Sequence, residues 1–150
     1  MEWPEVDFEA GLWSIPADHM KMKQPLVVPL SHQALKILKA LQPLTGRGRY
    51  VFPGRTSSRP ISNNSVNAAL RYLGFDGDTV TGHGFRATAR TMLDEILGFR
   101  IDLIEHKLAH AVRDTNGRAY NRTSFLEDRR KMMQTWADYL DKLKSGSKSK

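Results

Sequence analysis

The chain has 150 residues, 40% of them hydrophobic and 26% charged, which are the size and proportions of one globular domain with room for a real core. It contains no cysteine, excluding disulfides and thiolate-held metals, and no apolar run approaches the roughly 20 residues that span a bilayer. Lys and Arg number 23 against 16 Asp and Glu, for a net charge of +7, a balance that suits a polyanion because each neutralised phosphate releases counterions.

In chain order, the opening "MEWPEVDFEA" is acidic and interrupted by proline, unlike a signal peptide. The β-prone runs "LWSIP" (Leu12–Pro16) and "PLVVPL" (Pro25–Leu30) flank the basic turn "ADHMKMKQ", which predicts an antiparallel β-hairpin. Pro25 and Pro29 predict edge strands, since proline donates nothing to a ladder. Ser31 is placed to cap a helix over "HQALKILKAL", with Leu35, Leu38 and Leu41 on one face. "PLTGRGRYVFPGRTSSRP" reads as a loop. Ser62 or Asn63 is then expected to cap "NSVNAALRYL", with Gly74 ending it.

A third helix is expected from about Gly84 to Leu97, with Gly98 as its stop, and a fourth over "IDLIEHKLA". The last, Phe125–Lys144, carries Phe125, Met132, Trp136, Tyr139 and Leu143 at helical spacing. Such a stripe packs on its own core, or docks on a neighbouring subunit when it lies near a chain end. Part of the positive charge sits in the tail "KLKSGSKSK", and residues 145–150 are expected to be a disordered basic tail. "RRKMM" and "RGR" read as solvated faces that add affinity without specificity.

His106 and His110 stand one helical turn apart, as zinc ligands do. The zinc-protease signature would place a glutamate after the first histidine, but that position is Lys107, and no third ligand is evident. No metal is expected. The chain has no "GxxxxGK[ST]", "GxGxxG" or "GxSxG" element, which removes the simplest nucleotide-hydrolase and serine-esterase readings. What remains is a scattered set of phosphate-friendly groups. Lys21 lies in the hairpin turn, His83 and Arg86 three apart in "HGFR", His110 at a helix end, and Tyr120 in "GRAYNR". Each alone has an ordinary structural reading.

Together, the ordered pattern lysine, H-x-x-R, "LAH", tyrosine resembles the tyrosine recombinase family, and most closely the prophage integrases, through "HGFRATART" and "LAH…AYNR". The likeness spans almost the whole chain. It implies a mainly α fold with a small antiparallel β-hairpin or sheet near the N-terminus, a truncated version of the family's catalytic domain over residues 1–144. It implies Tyr120 as nucleophile, Arg86 and His83 as the second arginine and second histidine, and His110 as the histidine preceding the nucleophile. The gap from His110 to Tyr120 is ten residues, where many relatives have nine. The family's hairpin lysine lies eight positions before the proline of a "VPL" element. That register favours Lys21 over Lys23, with Lys23 a rival.

The family's first catalytic arginine precedes the hairpin, and no arginine precedes Lys21 here. The resemblance therefore implies part of a catalytic domain, inactive alone. The implied reaction is site-specific recombination for prophage integration and excision. Tyr120 oxygen attacks a DNA phosphorus, forms a 3′-phosphotyrosyl bond and releases a 5′-hydroxyl, and a partner strand reverses the step. The link conserves bond energy, so no cofactor is expected. The implied partners are double-stranded DNA attachment sites and, in the synaptic complex, three further copies making a homo-tetramer, with no membrane involved and a cytoplasmic location. A non-catalytic DNA-binding module and a type IB topoisomerase are the alternative readings.

Overall fold

Three short antiparallel strands open the chain in spatial order β1-β2-β3: β1 (Val6–Asp7), β2 (Leu12–Ile15) and β3 (Leu26–Pro29). In this computed structural model, residues 1–20, 23–107 and 125–146 are described. The β2–β3 hairpin expected from the two β-prone runs is present, with Leu12 opposite Pro29 and Ile15 opposite Leu26. β3 carries the proline and lies at the sheet edge, where a missing N–H costs no ladder bond. β1 has only two residues, paired as Val6–Trp13 and Asp7–Leu12, too short to show an alternating pattern in sequence.

Helix α1 (His32–Thr45) begins at the expected cap: Ser31 Oγ accepts from the Ala34 amide at 3.3 Å. Leu38 is buried, with Leu35 and Leu41 half-buried beside it. The helix runs through Pro43, beyond the expected loop boundary. A late proline forfeits one backbone bond while its fixed φ suits a helix. The Gly46 amide still reaches the Gln42 carbonyl at 2.8 Å, and the Thr45 hydroxyl ties the helix end to the Val51 carbonyl at 3.0 Å.

Helix α2 (Ser65–Tyr72) has Asn64 at its N-cap position, not Ser62 or Asn63, and Asn64 makes no side-chain cap bond; the Ser62 hydroxyl is paired with that of Ser65 at 3.0 Å. Gly74 follows in a left-handed conformation, φ +89°, the expected C-terminal stop. None of α2's residues is buried. The helix is tied down by polar contacts: Arg71 donates to the Phe75 and Val80 carbonyls, and Asn67 Oδ1 accepts from the Gly82 amide at 2.8 Å.

Helix α3 (Gly82–Thr91) starts two residues before the expected Gly84, because Thr81 Oγ1 accepts from the Gly84 amide at 2.9 Å. A π-helical turn, Met92–Ile96, prolongs it, with the Leu97 amide reaching back five residues to the Met92 carbonyl. Gly98, at φ +66°, stops it as expected. Helix α4 (Ile101–Lys107) and helix α5 (Leu126–Gly146) complete the described chain.

The main core joins the end of the α3 segment, α4 and α5. Leu93, Leu103, Ile104 and Met132 are buried there, covered by Leu97, Phe99, Phe125 and Trp136. Full burial of Met132 alone contributes about 1.5–3 kcal/mol. The amphipathic stripe of α5 thus packs on its own core through Met132 and Trp136, with Tyr139 stacked on Trp136 at 6.0 Å and Leu143 exposed; Phe125, expected to open the helix, packs on the same core from just before it, at φ +61°.

Helix α5 also straps the two halves of the domain together. Its Arg129 donates to the Val27 carbonyl of β3 at 2.5 Å, and Arg130 to the Ala10 carbonyl at 3.1 Å. Gln134 accepts from the His32 amide at 3.0 Å, and Gln33 donates to Asp138 and Asp141. The hairpin is therefore held against the same helix that closes the α3–α4 core.

Candidate active site

The H-x-x-R pair is built by the first turn of α3. Two side chains make that turn: Thr81 caps the Gly84 amide, and Asn67 of α2 takes the Gly82 amide. A Cβ on Gly82 would sit at ordinary contact distance from Asn67 Oδ1, 3.4 Å, and Val66, 3.5 Å, so α2 lies directly against the start of α3. His83 and Arg86 then occupy the second and fifth positions of α3, one turn apart on neighbouring surface. Both are exposed to solvent. A guanidinium is a planar fork of donors whose geometry suits two oxygens of one phosphate.

One turn further along, Arg90 ties α3 to α4. Its Nε lies 2.6 Å from Glu105 Oε1, and that carboxylate raises the arginine above its ordinary pKa. Glu105 is five residues before His110. At the other end of the intervening segment, Phe125 packs into the main core with the Arg100 guanidinium 5.9 Å from its ring centre. Ile104 and Phe125, described residues on either side of that segment, thus belong to one core.

Three of the five expected site residues, Lys21, His110 and Tyr120, lie outside the described residues. The rival of Lys21 in the hairpin, Lys23, is described. It is exposed and adopts a left-handed backbone with φ +51°, its amide donating to the Met20 carbonyl at 3.0 Å. Among the described residues no cluster of His, Asp or Glu could hold a metal ion.

The reading of "RRKMM" as a solvated face is corrected by the packing. Arg129 is completely buried, and burial lowers its pKa. Its Nη2 finds the Val27 carbonyl, while Nε and Nη1 have no hydrogen-bond partner among the described residues. Arg130 is half-buried against Ala10. Of the "RGR" pair, Arg49 is paired with Glu2 at 2.8 Å and Arg47 is exposed. Nothing in local sequence marks Arg129 as buried. Thr81, by contrast, was legible as a threonine three residues before a glycine amide at a helix start.

The phage integrase family matches residues 1–127. The chain belongs to that family. Over 146 residues, 97% of its length, this integrase-family chain is 47% identical to prophage integrase IntA of Escherichia coli (strain K12). It is 44% identical to the integrase of Enterobacteria phage P4 over 93% of its length, and 37% identical to prophage integrase IntZ of E. coli over 97%. It spans about a third of the length of these relatives, between 35% and 36% of each. No solved structure matches it significantly.

Proposed function

We propose that this chain is the catalytic part of a site-specific DNA recombinase that integrates and excises a prophage through a tyrosyl–DNA intermediate. The observation that carries the reading is the capped first turn of α3, on which His83 and Arg86 stand three residues apart and both exposed. Family membership, the integrase names of the relatives and the net charge of +7 support it.

Tyr120 oxygen attacks the phosphorus, breaks the bond to the 5′ oxygen and leaves the phosphoryl group on tyrosine. A phenol, with a pKa near 10, is a good enough leaving group for a partner 5′-hydroxyl to reverse the step. Charge builds on the non-bridging oxygens as phosphorus becomes five-coordinate. Arg86 meets it with two parallel donors and His110 with a third. Lys21 protonates the departing 5′ oxygen, and His83 assists that proton traffic or steadies Arg86. Four copies assemble on two attachment sites, in the cytoplasm.

These 150 residues alone lack an arginine before Lys21. By analogy with the removal of one oxyanion donor, its loss costs on the order of 10²–10³ in rate. The test is a suicide DNA substrate that traps the covalent adduct. A chain extended upstream to carry that arginine forms adduct, Tyr120→Phe abolishes it, and Arg86→Ala lowers it on the order of 10²–10³-fold. The 150-residue chain forms almost none. Adduct that persists in Tyr120→Phe refutes the nucleophile assignment. Robust adduct from the 150 residues refutes the expected inactivity.

A further inference from the structure

Charge along the chain is sharply segregated. Between Asp18 and Asp76 there is no Asp or Glu, yet nine Lys and Arg occur. Several of these cations have structural duties already described, Arg49 with Glu2 and Arg71 with two carbonyls. Arg55 and Arg59 do not. Both are exposed, and among the described residues no carboxylate pairs with either guanidinium.

They sit on a closed, shaped loop rather than on a loose one. Pro53 and Pro60 bridge, the Gly54 amide donates to the Arg59 carbonyl at 2.7 Å, and the Ile61 amide to the Phe52 carbonyl at 3.0 Å. A Cβ on Gly54 would meet the Pro60 carbonyl oxygen at 3.0 Å, so the two limbs touch. The loop walls an open recess of about 740 Å³ lined by Arg55, Thr56, Ser58, Arg59 and Ser62 among others. Beside the apolar Pro53, Pro60 and Ile61, its lining offers guanidinium and hydroxyl groups, side chains that suit a phosphate, with no acidic group. The loop feeds directly into α2, whose Asn67 holds the first amide of α3 beside His83. Loop and H-x-x-R turn therefore lie at the same end of the α2–α3 pair.

We propose that the Gly54–Ser62 loop is a backbone clamp for duplex DNA, gripping phosphates flanking the one that Arg86 addresses. The inference rests on the recombinase reading for the identity of its partner. Arg55 and Arg59 contribute charge and bidentate donors, and Thr56, Ser58 and Ser62 contribute neutral ones. Because these contacts go to phosphate, they set register and affinity without reading bases.

The test is fluorescence anisotropy of a labelled duplex against the 150-residue chain over a range of salt. The four proteins are wild type, Arg55→Ala/Arg59→Ala, Arg86→Ala, and Lys36→Ala/Lys39→Ala, the last removing two exposed cations from α1. Losing two phosphate contacts flattens the slope of log K against log salt by about 1.8, which is about 60-fold in affinity at 0.1 M salt. The Arg55/Arg59 pair is expected to show that change on a matched and on a scrambled duplex, and the Lys36/Lys39 pair is expected to show far less. Equal losses in the two double variants, or an unchanged slope for Arg55/Arg59, overturn the clamp. If Arg86→Ala weakens binding while Arg55/Arg59 does not, the clamp fails and the recombinase reading stands. If the wild type binds no duplex at all, both fail. A binding loss confined to an acidic peptide, with duplex binding intact, assigns the loop to a protein partner and overturns the DNA clamp.

Discussion

Arg129 offers the sharpest test of how the domain is held together. Its side chain is fully buried, donates one bond to the Val27 carbonyl, and has no carboxylate beside it among the described residues. Two substitutions separate its stem from its charge. Arg129→Met and Arg129→Ala both delete the guanidinium, the bond to Val27 and the cost of burying an ion. These terms cancel in the comparison, leaving the apolar volume that methionine keeps and alanine loses. Truncation of a buried Met to Ala costs about 2–5 kcal/mol, so Arg129→Met should exceed Arg129→Ala by about 3 kcal/mol, or about 6–12 °C in Tm for a chain of this size. Against wild type, Arg129→Met should be near neutral, because relief of an unpaired buried charge offsets one lost hydrogen bond. Urea unfolding at pH 7, followed by circular dichroism and tryptophan fluorescence, gives all three values. Methionine and alanine variants that unfold together would refute the packed stem. A methionine variant several kcal/mol below wild type would refute the unpaired charge.

Three further outcomes are expected. Glu5 is pushed up by burial but held below its ordinary value of 4.5 by the Glu2 amide and the Trp13 indole, with His19 also at 2.9 Å. A lowered carboxylate pKa stabilises above the unfolded value and loses that contribution as pH falls through the folded one, so Tm measured from pH 6 to 3 should drop below about pH 4.5 less steeply in Glu5→Gln than in wild type. Thr81→Ala should cost about 1 kcal/mol and speed hydrogen exchange at the Gly84 amide; unchanged exchange there would contradict the cap. Gly98→Ala should cost about 1 kcal/mol in urea unfolding from backbone strain alone, since φ is +66° and an added methyl meets nothing within 4 Å; a stabilised variant would contradict that conformation.

What the chain's own order of residues determined was local. The hairpin, the Ser31 cap, the Gly74 and Gly98 stops and the placement of His83 and Arg86 at a helix start all depend on neighbours within a few positions, where φ preference and side-chain reach act directly. The family pattern was legible for the same reason, because its motifs are short and ordered. The tertiary structure decided the rest. It carried α1 through Pro43, and put Arg129 inside a strap onto β3, Arg130 against Ala10 and Arg49 onto Glu2. An arginine in "RRKMM" has the same helical period whether its face meets water or a strand that is a hundred residues away in sequence. Only the packing of α5 across both halves chooses between them.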